Sequence, residues 1–353
     1  MALLAHIPKT YSKLVAVSLT TNFKEAVRVQ KFETPSPKSG ELLVKARYAG
    51  INASDVNLTA GRYTPGIQPP FDTGMEGIGE VVQVGADCSD YKPGDSVGYM
   101  TAGAFGEYLI LPSKFAIPLP KIDPGFVPLM VSGLTASISL DTFGELKSGE
   151  NVLVTAAAGG TGQFAVQLAK IAGCHVIGTC SLDEKVEFLK SIGCDRPINY
   201  KKEDLKAVLK KEYPKGVDVV YESIGGDMFD TCLKNLSTFG RLIIIGFISS
   251  YKGNSFAPPI KAPLQSILLS KSACVRGFFL FNHIKEVPMH FAKLAQLYMT
   301  GKLISTIDLG KGHSSGPFRG MQGILDGVDY LYSSKNAGKV VVEVNGQDGD
   351  SKL

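Results

Sequence analysis

The chain has 353 residues, 44% of them hydrophobic and 20% charged, and a formal net charge of +4. That length exceeds one typical core, so two domains are expected, and the small charge without a Lys/Arg block argues against nucleic acid as a partner. No apolar run approaches the roughly 18 residues of a membrane span, and the six cysteines, without a CxxC pair, read mostly as small buried residues, not as a disulfide framework or zinc knuckle.

Residues 1–12, "MALLAHIPKTYS", are too short and too weakly basic for a presequence. From Lys13 to about Phe115 the pattern is short, alternating and turn-broken. "ELLVKARYAGI", "GEVVQVGADC" and "DSVGYM" read as strands, with "PSPKSG" and "KPGD" as turns. Within this region "GMEGIG" is glycine-rich but leads into a strand instead of a helix. It therefore predicts close backbone packing, not a phosphate loop. Residues 127–145 carry helical spacing, and "NVLVTAA" is a buried strand. Strands and amphipathic helices then alternate, through "FAVQLAKIAG", "CHVIGTC", "DEKVEFLKSIG", "PINY", "KEDLKAVLKKEY", "VDVVYES", "MFDTCLKNLST" and "RLIIIGF". Uninterrupted apolar strands between helices imply a parallel sheet covered on both faces. After a helix near 284–300, "LISTIDLG" and "GKVVVEV" return to β. With no helical partners to continue the alternation, these strands are assigned to the first domain. The division expected is 13–128 with 303–353, and 129–302.

The strand Val152–Thr155 runs into "AAAGGTGQFAVQLAK", where Ala157, Gly159 and Gly162 occupy the positions of a G-x-G-x-x-G fingerprint. Strand before and helix after is the context that dinucleotide binding demands: small residues admit the pyrophosphate, and the helix N-terminus offers N–H groups to it. An NAD site wants an acid at the end of the next strand to grip the ribose 2′-OH. Here "HVIGTC" ends at Ser181, with Asp183 and Glu184 beginning a helix. Ser181 can donate to a 2′-phosphate and Lys185 follows one turn later, which favours NADPH. Lys185 taken alone reads equally well as a solvated helix lysine. No histidine lies near Met75-Glu76, and none of the five shows metal-ligand spacing. His283 and His290 could share a face with Glu286, but a solvated helix surface explains them more simply. No metal is expected.

In this order, "AGINASDVNLTAGRY", "GMEGIGEV", "KPGDSVGY", "AAAGGTGQFAVQLAK", "GTCSLDEKVEFLKSIGCDRPINY" and "NAGKVVVEV" resemble the medium-chain dehydrogenase/reductases, and among them the zinc-lacking quinone oxidoreductase branch. The resemblance runs from about Lys13 to the last residue. It implies a GroES-like β-rich catalytic domain with a Rossmann doubly wound parallel sheet. It also implies NADPH-dependent, zinc-independent reduction of a conjugated double bond, and in the prostaglandin reductase group a 15-oxo-prostaglandin reduced at its 13,14 bond, a role in lipid metabolism. Asn52 and Met75 sit in the segments that carry catalytic zinc ligands elsewhere in the superfamily. Carried over residue by residue, the glycine turn Gly159, Gly160 and Gly162 with Thr161 meets the pyrophosphate. Ser181, Lys185 and Tyr200 meet the 2′-phosphate and adenine. Ser223 and Ile245 lie at strand ends facing the cofactor, and Tyr251 near cofactor and substrate. Phe278, Phe279, Leu280 and Asn336 flank the nicotinamide. Quinone reductases often carry a tyrosine where this chain has Asn57, so only Tyr63 of that loop remains.

The chemistry implied is hydride transfer to the β-carbon of an enone, with charge developing on the carbonyl oxygen, which needs hydrogen-bond donors in a dry pocket. Tyr63 is the best candidate, with Asn52 and Tyr251 in support. Against these roles, Tyr63 could cap its own loop and Asn52 could brace its own turn. A quinone or short-chain enal reductase, or a non-catalytic NADPH-binding protein, remains open, as does the oligomeric state, a homodimer among the options. The chain closes on Ser351-Lys352-Leu353. That tripeptide is a peroxisomal address and implies an import receptor as partner.

Overall fold

The computed structural model describes residues 7–253, 256 and 259–346. They form two compact units, one running to Met130 and resuming at Ile307, the other Val131–Thr306.

The first unit is built on antiparallel strands. Val27–Glu33, Thr10–Ala16 and Phe71–Asp72 make a three-stranded sheet. A larger sheet runs in the order Ile307–Asp308, Lys339–Glu343, Glu41–Gly50, Gly77–Val84, Ser96–Tyr99, Ile117–Leu119, with Tyr108–Pro112 also pairing Glu41–Gly50. Leu42, Val44, Ala46, Ile78 and Val81 are sealed from solvent, and a fully buried Val, Leu or Ile contributes roughly 1.5–3 kcal/mol. The glycines of 74–79 do serve backbone approach: a Cβ on Gly77 would stand 2.7 Å from the Tyr99 hydroxyl and 2.8 Å from the Tyr48 carbonyl.

Two expectations for this unit need correction. The final strands do have a helix between them, Gly320–Tyr332, and it makes the crossover that a parallel pair requires: Ile307–Asp308 and Lys339–Glu343 run parallel. Glycines at 320, 323 and 327 lower its intrinsic propensity, so the pattern understates it. The first strand also begins at Thr10, ahead of Lys13.

The second unit is a six-stranded parallel sheet. Its order is Arg196–Asn199, His175–Cys180, Asn151–Val154, Val217–Glu222, Leu236–Ile244, Cys274–Gly277, which is 3-2-1-4-5-6 in chain order. The order reverses between Asn151–Val154 and Val217–Glu222, and ligands of such sheets bind beyond the strand ends at that point. Leu153, Ile177, Ile198, Val220 and Leu242 pack with Leu209, Phe229 and Leu233 into one core. One further correction concerns the apolar segment Pro124–Gly144. It is 21 residues long and by length and composition apolar enough to cross a membrane, but 78% of its most apolar 18-residue stretch is buried, as in a core helix.

Candidate active site

In Val131–Thr306 the site begins at the end of the central strand. Ala156 turns the chain with φ of +47°, a left-handed conformation costly for a residue with a Cβ. Its N–H donates to Thr179 Oγ1 at 3.2 Å, and the Ala157 N–H to the Thr179 carbonyl at 3.0 Å, so the neighbouring strand holds the turn. A Cβ on Gly162 would lie 2.5 Å from the Ala156 carbonyl oxygen and 2.7 Å from Ala157 Cα. Only glycine closes this turn, and Gly159 and Gly160 precede it. Thr161 then caps the helix Gly162–Ile171 without spending its hydroxyl on the cap, and a helix N-terminus offers N–H groups to a phosphate. Two residues that the pattern does not single out brace this helix. Gln163 exchanges hydrogen bonds with the Thr306 backbone at 3.0 and 2.8 Å, and Gln167 with Ile304 at 2.9 and 2.7 Å.

At the end of the next strand Ser181 is buried, and so is Lys185. The solvated-lysine reading of Lys185 therefore fails. Tyr200 follows Arg196–Asn199, is 42% exposed, and donates its N–H to the Cys180 carbonyl, which sets it beside Ser181. Asp183 receives a hydrogen bond from Asn199 at 2.9 Å and pairs with Lys202. The Lys202 ammonium, with the Asn199 amide, holds the Asp183 carboxyl below its ordinary range. The nearest acid is thus tied down by a lysine that sequence reasoning missed, because its relevance depends on the next strand.

Across the reversal, the Ser223 N–H donates to Thr155 Oγ1 at 2.9 Å. Ile245 donates to the Glu222 carbonyl at 2.7 Å and Phe278 to the Ile244 carbonyl at 3.0 Å. Ser223, Ile245 and Phe278 therefore stand in a row at consecutive strand ends. Beneath them Glu222 is buried, accepts N–H bonds from Ile224 and Gly225, and is pushed up to about 7 by that burial. Phe278 stacks on His283 with ring centroids 4.8 Å apart. Leu280 is buried, whereas Phe279 is 44% exposed. Tyr251 is buried against Phe247 and Phe256, and its hydroxyl accepts the Phe247 N–H at 3.3 Å. Its visible work is to hold its own loop.

The histidine expectation is overturned. His290 is buried, its Nδ1 lies 2.8 Å from Ser137 Oγ, and burial pushes its imidazole down. His283 is bonded to Glu286 at 2.8 Å and packed on Phe278. Neither is a solvated surface residue, because both lie on the side of this helical stretch that packs inward, while Ile284 and Met289 face solvent.

In the first unit, Glu76 is sealed from solvent and Met75 nearly so. Lys339 Nζ lies 2.5 Å from Glu76 Oε1 and 2.6 Å from Asn52 Oδ1. The Asn52 amide nitrogen donates to Glu76 Oε1 at 2.9 Å and faces the Gly50 carbonyl at 3.5 Å. The backbone N–H of Asn52 donates to Asp55, whose carboxyl is pushed up to about 7 by burial. Asn52 is corrected accordingly: its amide belongs to this buried cluster, so it is no supporting donor to an enolate. The cation that these groups share is a lysine ammonium, and among the described residues no three His, Cys, Asp or Glu side chains group as a metal site. Lys339 was missed because nothing local marks it. Tyr63 is half-buried and its hydroxyl accepts from Asn57 Nδ2 at 3.1 Å. Asn336 is buried and donates to the Gly338 carbonyl at 2.9 Å.

Comparison with known proteins follows these two units. A family model for the zinc-binding dehydrogenases matches residues 160–298, and one for the alcohol dehydrogenase GroES-like domain matches residues 38–121. Prostaglandin reductase-3 of Mus musculus is 54% identical over 96% of this chain and 90% of its own length. The NADP(+)-dependent 2-alkenal reductase of Nicotiana tabacum is 32% identical over 87% of this chain and 88% of its own. The crystal structure of Escherichia coli quinone oxidoreductase complexed with NADPH superposes with a TM-score of 0.80 at 26% identity, covering 94% of this chain and 99% of that one.

Proposed function

The chain belongs to the medium-chain dehydrogenase/reductase superfamily, in the quinone oxidoreductase-like group that includes prostaglandin reductase-3, and from that premise we propose that it reduces the conjugated carbon–carbon double bond of enones with NADPH. The observation that carries the reading is the buried Ser181–Lys185 pair beside a complete glycine turn, with the nearby acid Asp183 already neutralised by Lys202. The relatives' activities supply the substrate class, and a 15-oxo-prostaglandin-like enone is its finer form.

The described residues fit the cofactor. The cleared turn at Gly162 and the helix after it would hold the pyrophosphate, Ser181 and Lys185 the 2′-phosphate, and Ser223, Ile245 and Phe278 the nicotinamide end. When bound, NADPH supplies a hydride to the β-carbon of the enone. The chain's own part is to stabilise the oxygen on which charge develops, and Tyr63 does this by donating its hydroxyl proton into a hydrogen bond. Asn52, Glu76 and Lys339 form a closed buried group, so they support the loop that carries Tyr63 and do not contact the enolate.

Incubating the pure protein with NADPH and a panel of enones, enals and quinones tests this reading. Consumption of NADPH with saturation of the double bond is expected, and binding without turnover of any of them would make the chain a cofactor-binding protein only. Tyr63→Phe is expected to lower kcat about tenfold to a hundredfold while NADPH affinity is unchanged, since one preorganised donor carries about 2.7–4 kcal/mol when fully engaged. A primary isotope effect with deuterated NADPH must accompany the measurement, so that slow product release does not hide the loss.

Two partners belong to the same proposal. Ser351-Lys352-Leu353 lies outside the described residues and supports a peroxisomal import receptor. Deleting those three residues should disperse a tagged full-length chain from peroxisomes, and an unchanged distribution would remove the receptor as a partner. A homodimer is supported by the outer strand Cys274–Gly277 and the exposed Leu269 and Phe281 nearby in sequence.

A further inference from the structure

Asn57 stands where quinone reductases often carry a tyrosine, and its surroundings give the amide a use. It lies on the short helix Asp55–Thr59 and is sealed from solvent. Its Oδ1 accepts from Arg62 Nη1 at 3.1 Å, and its Nδ2 donates to the Tyr63 hydroxyl at 3.1 Å. The Arg62 N–H also donates to the Asn57 carbonyl at 2.9 Å, which closes the loop around the side chain.

A guanidinium has donors and no acceptor. The amide must therefore turn its oxygen to Arg62 and its nitrogen to Tyr63. The order of donation then has one sense: Arg62 to Asn57, Asn57 to the Tyr63 oxygen. The Tyr63 proton cannot point back at Asn57 and is directed elsewhere. A phenol that accepts such a bond is also a stronger donor, because the bond favours its negatively charged form.

We propose that Asn57 is a positioning residue, oriented by Arg62, that aims and strengthens the Tyr63 hydroxyl for the developing enolate. The inference rests on the reading of Tyr63 as the enolate donor. A carboxylate at position 57 would reverse the sense of the network. It would accept from Arg62 and from Tyr63 together, and so draw the phenol proton inward.

The test is single-turnover hydride transfer from deuterated and ordinary NADPH to one fixed enone, in the full chain carrying Asn57→Asp, Arg62→Met, Tyr63→Phe and the pairwise combinations with Tyr63→Phe. Asn57→Asp is expected to slow the step about as much as Tyr63→Phe, roughly tenfold to a hundredfold, and the double variant should be no slower than Tyr63→Phe alone. Lowering the pH should restore Asn57→Asp relative to the parent chain, because the protonated carboxyl can again donate to Tyr63. Arg62→Met leaves the buried amide in place and should cost less, also without adding to Tyr63→Phe. It keeps the test decisive if Asn57→Asp fails to fold. Losses that multiply in the double variants, or an Asn57→Asp defect independent of pH, would overturn the inference while leaving Tyr63 in its role. An unchanged rate in Tyr63→Phe would overturn the reading of Tyr63, and the inference with it.

Discussion

Ser181→Asp is expected to weaken NADPH binding about a hundredfold while changing NADH affinity by less than about threefold. The physical cause is local. Ser181 follows the strand His175–Cys180 and is buried, as is Lys185 four residues on, where the proposed 2′-phosphate sits, and a carboxylate there would face that phosphate directly. Two unit charges about 4 Å apart repel by roughly 4 kcal/mol at an effective dielectric near 20. Lys185 and counterions screen part of this, leaving about 2.7 kcal/mol, which is the hundredfold loss at 1.4 kcal/mol per decade. NADH has a hydroxyl in place of the phosphate, and a carboxylate is the group that grips it in NAD sites. The parent chain should in turn prefer NADPH over NADH by at least about tenfold. Fluorescence titration of both cofactors against both proteins decides the matter. Equal losses for the two cofactors would mean that the substitution damaged the fold, and equal affinities in the parent chain would remove the 2′-phosphate site.

Lys339→Met carries the largest expected effect on stability. Lys339 and Glu76 have side chains 3% and 0% exposed and form an ion pair 2.5 Å long. Removing one partner of such a pair strands the other as a buried charge, which costs about 3–5 kcal/mol. Asp55 worsens the balance, since the Lys339 charge is one of the influences that draw its raised carboxyl back down. Urea unfolding of the two proteins measures the difference. The double variant Lys339→Met with Glu76→Gln should regain much of the loss, because no unpaired charge is then left behind. A single-variant loss below about 1 kcal/mol would show that water reaches Glu76, and would contradict its burial.

The local pattern encodes what depends on neighbours in the chain. The strand–turn–helix around Gly162 is written in adjacent residues, because the turn's φ demands and the helix that follows depend on neighbours in the chain. The same holds for the apolar strands of the parallel sheet, whose burial on both faces erases alternation, and for the absent acid at Ser181. Those features were legible, along with the assignment of Tyr63 to a loop of the β-rich part. The helix Gly320–Tyr332 was not, since its glycines weaken the local preference and its stability comes from packing on the Lys339–Glu343 strand.

By itself, then, the sequence determined the glycine turn between strand and helix, the serine in place of an acid after the second strand and the parallel sheet that presents them, all from residues close together in the chain. The tertiary structure decided which polar groups are spent and on what. Lys339 reaches Asn52 across 287 positions only because the last strand pairs antiparallel with Glu41–Gly50, Val341 opposite Gly50. Sheet register sets that meeting, and register is a property of many pairings taken together. The burial of His290 on Ser137 and the tie between Asp183 and Lys202 likewise depend on elements brought together from separate parts of the chain. Whether a polar side chain faces water or a partner is settled by what the rest of the fold places beside it.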